Sequence, residues 1–297
     1  MKQILAMITL LALPACATAG QTAHSTHAAY RCTTVDWLEP GKPILRARLN
    51  GRKLVFLVDT GAEYDGWIKR DLALELGLPI VGEIPLEREG DPTGGLPFYG
   101  VSDLTLGTIS FANRRFGEMP QVGSKPQVFD GIIGNGLFAD MQAAFDYQRN
   151  QLQVTDLNLV TGEVVEFDRY GIPVIPLQIG TEKVTVHLDT GNMASKLFVK
   201  ATDVERLALA DNPVERGRAV TVSGAFSVME ATLADKVLYG TTRLAIDKVR
   251  WPGAYDEGQL GSQGLAGQTL RVDWRNKRVS IRPEPAPTVC PTNDDTK

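Results

Sequence analysis

The sequence predicts an all-β protein built from two homologous lobes, and three observations carry that reading. The triplet Asp-Thr-Gly occurs twice, at Asp59-Thr60-Gly61 and at Asp189-Thr190-Gly191, 130 residues apart. Composition alone would place roughly 0.16 such triplets in the chain, so the flanks must decide whether the repeat is real. They repeat in register. Pro43-Ile44-Leu45 meets Pro173-Val174-Ile175, and Leu49, Leu54 and Phe56 meet Ile179, Val184 and Val186 at the same offset. At an offset of 127, Asp130-Gly131-Ile132-Ile133-Gly134 meets Glu257-Gly258-Gln259-Leu260-Gly261, and Phe145-Asp146-Tyr147 meets Val272-Asp273-Trp274. A unit of about 110 residues is too long for a solenoid repeat and suits a small lobe. Third, 29 Gly and 17 Pro supply the many turns an all-β chain needs.

The first 19 residues read as an export signal. Lys2 supplies charge, Ile4 to Leu13 a short apolar core, and Ala17-Thr18-Ala19 a small-residue cleavage site. That run is too short for a stable membrane-spanning helix. A second reading of the same segment exists. Leu13-Pro14-Ala15-Cys16 resembles a bacterial lipobox, apart from its proline, and would put a lipid on Cys16 as the sole membrane attachment. Either way the expected location is periplasmic or secreted. Residues 20–30 form a small, polar spacer. His24 and His27 lie there without further ligands, so no metal is expected.

The first lobe spans residues 31–156. Strands are expected at Ile44–Leu49 and Lys53–Val58, joined by Asn50-Gly51, a strong hairpin signal. An extended Trp67-Ile68 follows, then a short helix capped by Asp71 and stopped by Gly77. The Gly90–Gly95 stretch reads as a hairpin tip feeding a strand with Leu96, Phe98, Val101 and Leu104. Leu106-Gly107-Thr108-Ile109 is another turn. Residues 157–172 are a connector that contributes a strand of its own. The second lobe, 173–283, repeats the plan with turns at Gly180-Thr181 and Tyr239-Gly240-Thr241 and a helix over Asp203–Leu209. Its hairpin tip is Val220–Val228, with Ser223-Gly224-Ala225 inside. Residues 284–297 are a polar tail.

Net charge is −4 with no Lys/Arg cluster, so a nucleic-acid partner is not expected. Once a signal is removed, Cys32 and Cys290 remain, just outside the duplicated region. An oxidising compartment would let them pair and close a very long loop; two separate thiols are the alternative.

Two carboxylates in matching frames suggest one site made from two halves, in which close acids share a proton. At this point the chain resembles the retropepsin and pepsin superfamily of aspartic peptidases, with tandem lobes like those found singly in many bacterial proteins. The pattern is an apolar strand, Asp-Thr-Gly, a Gly-rich flap hairpin, then two apolar residues and Gly. Both halves carry it nearly completely, with Ile132-Ile133-Gly134 in one and Gln259-Leu260-Gly261 in the other. The resemblance implies two retropepsin-like β-barrel lobes with a cleft between them, and a monomer that acts as its own pseudo-dimer. It implies Asp59 and Asp189 as catalytic acids and Thr60, Gly61, Ala62, Thr190, Gly191 and Asn192 as loop support. It implies Gly94, Gly95, Leu96 and Phe98, with Ser223, Gly224, Ala225 and Phe226, as substrate-binding flaps. The substrate would be an extended polypeptide, with no cofactor and no metal.

Four departures stand out. Ala62 lacks the hydroxyl that pepsin-like enzymes place there, which should raise the pKa of the neighbouring acid. Asn192 occupies the matching position in the second half and either donates to the site or crowds it. Gln259 replaces an apolar residue, and His187 stands where Leu57 stands in the first half. Glu63 reads as a surface charge. The functional expectation is an exported endopeptidase. The alternative is a catalytically silent peptide-binding or regulatory module, which would keep ligand affinity when one Asp becomes Asn.

Overall fold

Period-two alternation sets the strands: in Pro173–Ile179 every second residue is buried. The computed structural model describes residues 30–85, 95–119, 127–159, 161–221, 224–252, 257–286 and 290. The chain is all-β. In order the strands are β1 (Cys32–Asp36), β2 (Ile44–Leu49), β3 (Arg52–Val58), β4 (Gly66–Ile68), β5 (Ile80–Pro85), β6 (Gly95–Leu106), β7 (Ile109–Glu118), β8 (Gly131–Ile133), β9 (Gln142–Asp146) and β10 (Gln151–Thr155). Then come β11 (Glu163–Val164), β12 (Glu166–Phe167), β13 (Pro173–Ile179), β14 (Glu182–Asp189), β15 (Leu197–Phe198), β16 (Val214–Thr221) and β17 (Gly224–Thr232). The last are β18 (Val237–Tyr239), β19 (Thr242–Leu244), β20 (Lys248–Pro252), β21 (Gln259–Gly261), β22 (Thr269–Asp273) and β23 (Arg278–Arg282).

A seven-stranded sheet runs β2-β3-β8-β4-β7-β6-β5, and pairing of β2 with β6 closes six of these strands into a barrel. A second sheet runs β16-β17-β20-β15-β21-β14-β13-β18-β19. The two share a pairing scheme. Leu57 lies opposite Ile132 in a parallel pair, as His187 lies opposite Gln259. Phe98 pairs with Gly117, as Glu230 pairs with Arg250. β2 meets β6 at Arg48 and Leu49, and β13 meets β18 at Gln178 and Ile179. The difference is a break: the place of the single long β6 is taken by β17 and β18 in succession.

A third sheet, β1-β10-β9-β22-β23-β11, joins strands from both ends of the chain. Its centre is the antiparallel pair β9–β22, where Ala143 faces Val272 and Phe145 faces Leu270, all nearly inaccessible to solvent. One continuous apolar core runs through all three sheets. The connector contributes β11 to this sheet and β12 to the second sheet.

Turns fall where sequence places them. Asn50 and Gly51 both take positive φ, as do Gly107, Gly180 and Gly240. The helices differ from expectation. α1 (Arg70–Glu75) has Lys69 as its N-cap residue, without a side-chain cap, and Asp71 lies in its first turn. Gly77, at φ +61°, follows its end. The helix expected over Asp203–Leu209 is a single turn, α2 (Ala201–Val204). Leu209 instead forms a bridge to Leu233, so strand-type pairing overrides local propensity there. Residues 1–29, the first hairpin tip up to Gly94, Ser223 and most of the tail lie outside the described residues. No helix among the described residues is long and apolar enough to cross a membrane.

Cys32 and Cys290 form a disulfide across 258 residues, with Cα atoms 5.2 Å apart. Cys290 is buried beside the Val154 carbonyl, and the Ala286 amide donates to the buried Asp146 at 2.9 Å. The tail is therefore anchored on the joining sheet. A loop this long carries a chain-entropy stabilisation of about 5 kcal/mol. Cys290→Ser should lower the unfolding free energy by up to about that amount. Urea titration with and without reductant checks it, since reductant should destabilise the wild type alone.

Candidate active site

Each triplet lies at the end of a strand with a parallel neighbour: β3 beside β8, which Gly134 follows, and β14 beside β21, which ends at Gly261. This places Asp59 and Asp189 at the ends of interior strands, on loops that face each other. The loops interlock. Thr60 Oγ1 donates to the Leu188 carbonyl at 2.8 Å and accepts the Thr190 amide at 3.1 Å. Thr190 Oγ1 donates to the Val58 carbonyl at 2.8 Å and accepts the Thr60 amide at 3.0 Å. Both threonines are buried, so these four bonds satisfy groups that water cannot reach.

The lock brings the two carboxyl groups into hydrogen-bond contact with each other. The Gly61 amide donates to Asp59 Oδ1 at 2.7 Å, and the Gly191 amide reaches across to the same oxygen at 3.2 Å. The Asn192 amide donates to Asp189 Oδ1 at 2.8 Å. Glycine is required in both triplets by space. A Cβ on Gly61 would lie 2.9 Å from Asp189 Cγ, and one on Gly191 would fall on the Asp59 carboxylate.

Burial pushes the Asp59 carboxyl up, opposed by the Gly61, Gly191 and Ala62 amides. Burial and the negative charge of Asp59 hold Asp189 well above the usual carboxylate range. Both acids keep partial solvent access, and the like charge of Asp59 acts on Asp189 at close contact. More amides favour the charged form of Asp59, so of the two acids Asp189 is the one held further toward its protonated form.

Asn192 neither crowds the acids nor donates to them through its side chain. Its Nδ2 donates to Gln259 Oε1 at 3.1 Å, and its Oδ1 accepts from Ser195 Oγ at 3.2 Å. Gln259 is thus the partner of Asn192, whereas Ile132 in the first half packs with Leu57 and Trp67. His187 lies half-buried, its Nε2 3.4 Å from Asp168 and its Nδ1 3.9 Å from Glu257. Glu63 is not a plain surface charge. It is half-buried, burial and Asp168 push its carboxyl up, and its Oε2 is buried without a hydrogen-bond partner among the described residues.

Gly95 and Leu96 begin β6, and Gly224, Ala225 and Phe226 begin β17, opposite β16. Phe98 is buried edge-on against Tyr64, with ring centroids 4.9 Å apart. Gly94 and Ser223 lie outside the described residues. A support behind the site was not anticipated from sequence. The buried Tyr147 hydroxyl lies 2.9 Å from Ser262 Oγ, which donates to the Thr190 carbonyl at 2.6 Å. Burial raises the Tyr147 phenol, and both acids raise it further, so it remains a neutral hydrogen-bonding group. The alignment of Tyr147 with Trp274 marked the position but not its polar role.

Among the described residues, no group of three or more His, Cys, Asp or Glu could hold a metal ion. No protein-family model matches the chain, and no curated protein matches it.

Thr60→Val keeps the volume but leaves a buried amide and a buried carbonyl unpaired. It should cost about 3 kcal/mol, read by urea unfolding. Gln259→Leu strands the Asn192 amide, and a double-mutant cycle with Asn192→Ala should show a coupling of about 1 kcal/mol. Additive single effects would mean the pair is not coupled.

Proposed function

We propose that the chain is an exported aspartic endopeptidase built from two retropepsin-like lobes, with Asp59 and Asp189 as its catalytic pair. The observation that carries this reading is the acid pair itself: two carboxyls in contact, locked by Thr60 and Thr190 and bonded by amides from both loops. A structural β-protein has no use for two close, half-exposed acids, each of which costs stability. The matched pairings of the two sheets support a duplicated lobe. The Asn192–Gln259 bond weakens the case for a silent binding module, because the departures in the second half compensate each other.

The chemistry follows from the proton distribution. The Asp59 carboxylate takes a proton from a water as its oxygen adds to the peptide carbonyl carbon. Asp189 gives its proton to the carbonyl oxygen, forming a neutral gem-diol. Return of a proton to the nitrogen lets the C–N bond break, and the pair regains its shared proton. The hairpins β5–β6 and β16–β17 would hold an extended polypeptide by main-chain hydrogen bonds. The disulfide suits the oxidising compartment that the export reading implies. Lipid on Cys16 is the membrane-anchored form of the same proposal.

Activity needs one acid charged and one protonated. It falls at low pH as Asp59 takes a proton and at high pH as Asp189 loses one. Both groups are raised, so the bell should centre above the ordinary carboxylate pKa of about 4. The test is cleavage of an unfolded protein mixture by wild type, Asp59→Asn and Asp189→Asn across a pH series. Both variants should fold and lose cleavage by more than about a thousandfold. Ala62→Ser adds a donor beside Asp59 and should move the acid limb to lower pH. A folded wild type that binds but never cuts peptides would leave the silent module standing.

A further inference from the structure

A cavity of ≈ 440 Å³ lies in the second half between β16, β17, β20 and the loop that follows the second triplet. Its lining includes Lys196, Arg216, Glu230, Asp247, Lys248 and Arg250. Neither Asp59 nor Asp189 lines it. Four cations and two acids leave an excess of two positive charges.

The arrangement is built around one buried acid. Glu230 is 4% exposed and sits mid-strand in β17. Arg216 Nε reaches its Oε1 at 3.1 Å, Lys248 Nζ reaches the same oxygen at 3.2 Å, and Arg250 Nε reaches Oε2 at 2.8 Å. Those cations hold the Glu230 carboxyl down to about 2 against the opposing effect of burial. Arg216 comes from a β-bulge between Glu215 and Gly217, a device that re-aims one side chain out of the strand's alternation. Arg250 is steadied further by its Nη1 bond to the Ala194 carbonyl at 3.0 Å.

One carboxylate cannot use all these donors. Two guanidinium groups carry ten N–H bonds and an ammonium three. Glu230 takes one nitrogen from each of the three cations, and the Ala194 carbonyl takes one more. Arg216 and Lys248 remain about half exposed, so their other donors are reachable.

The first half shows that the fold does not require this. The row Trp67, Gly117, Phe98 occupies the pairing positions that Phe198, Arg250, Glu230 occupy in the second half. There the space is filled by apolar groups. A Cβ on Gly117 would lie 2.8 Å from both the Trp67 ring and Ile84, and Phe98 packs on Tyr64. The second half replaces that packing with an open, cationic cavity.

We propose that this cavity is a binding pocket for an oxyanion, taking a carboxylate or phosphate group through Arg216, Lys248 and Arg250, with Glu230 as the fixed template that holds them. The anion can come from an acidic peptide segment or from a phosphate compound. The proposal does not rest on peptidase activity, because binding is read without turnover.

The test is calorimetric titration of the full, disulfide-bonded chain in the Asp59→Asn background. The probes are inorganic phosphate, a Glu-rich decapeptide and the same decapeptide with Gln for Glu. Arg216→Gln and Lys248→Gln are compared with Lys183→Gln, which removes the same charge from an exposed site on β14. At least one anionic probe should bind at one site, and the two pocket variants should each weaken it about tenfold or more. Lys183→Gln should not. Binding of the peptide alone assigns a polypeptide source, and binding of phosphate alone assigns a phosphate source. The proposal is overturned if neither anion binds, if the Gln peptide binds as well as the Glu peptide, or if Lys183→Gln weakens binding as much as the pocket variants do.

Discussion

The reciprocal bonds of Thr60 and Thr190 are the constraint on which the rest of the molecule depends. Each hydroxyl donates to a carbonyl of the other half and accepts an amide from the other threonine. None of the four bonds forms unless both loops are present. Association of the halves and placement of the acids are therefore one event. The cost of an unpaired buried polar group, about 1–3 kcal/mol each, makes a half-formed lock unfavourable. The two acids oppose this: burial disfavours the charge of each, and their proximity disfavours two charges. The lock and the inward amides of Gly61, Gly191 and Asn192 offset that opposition, and they do so only in one geometry.

Around this nearly symmetric centre the surroundings are unequal. In the first half Leu57 and Ile132 face each other across β3 and β8, joined by Trp67 on the neighbouring strand. In the second, the corresponding places hold His187, Gln259 and Phe198. The substitutions come in sets that satisfy one another. Asn192 arrives with Gln259, and Glu230 with Arg250 and the bulged Arg216. Isolated polar residues in a packed sheet would each carry a desolvation penalty. Paired ones remove it, which is why the second half tolerates a polar interior where the first is aromatic.

Much of this was legible in the sequence because it is local or repeated. Alternation fixed the strands, Asn50-Gly51 and Gly180 fixed turns through positive φ, and the 130-residue offset paired Asp59 with Asp189. The remainder depends on contacts between distant segments. Tyr147 reads as the last residue of an apolar strand, and only the fold brings it 2.9 Å from Ser262, 115 residues on. Glu230 carries no signal of its own in the sequence, and only a bulge 14 residues earlier turns Arg216 onto it. The second helix is shorter than its sequence predicts for a related reason. Asp203 to Leu209 has helical composition, but Leu209 has a strand partner in Leu233 that no local window contains. The pairing of Asn192 with Gln259 was also invisible, so two compensating changes looked like two defects.

The joining sheet explains how such a centre is kept in register. β9 and β22 pair in the middle of it, one from each half, and each is followed by a hairpin partner, β10 and β23. Both faces of β9 are buried, and a shift of one residue between β9 and β22 would bring Ala144 or Asp146 opposite Leu270 in place of Phe145, so the match of apolar partners holds the register. That register in turn fixes Tyr147, which follows β9 directly, beneath Ser262 and the second triplet loop. The disulfide acts at the edge of the same sheet: Cys32 lies on β1 and Cys290 packs beside Val154 of β10. By tying Cys290 to the first strand, the bond constrains this sheet rather than either of the other two. The covalent link and the threonine lock thus hold the two halves through different elements, the one at their shared sheet and the other at the loops that carry the acids.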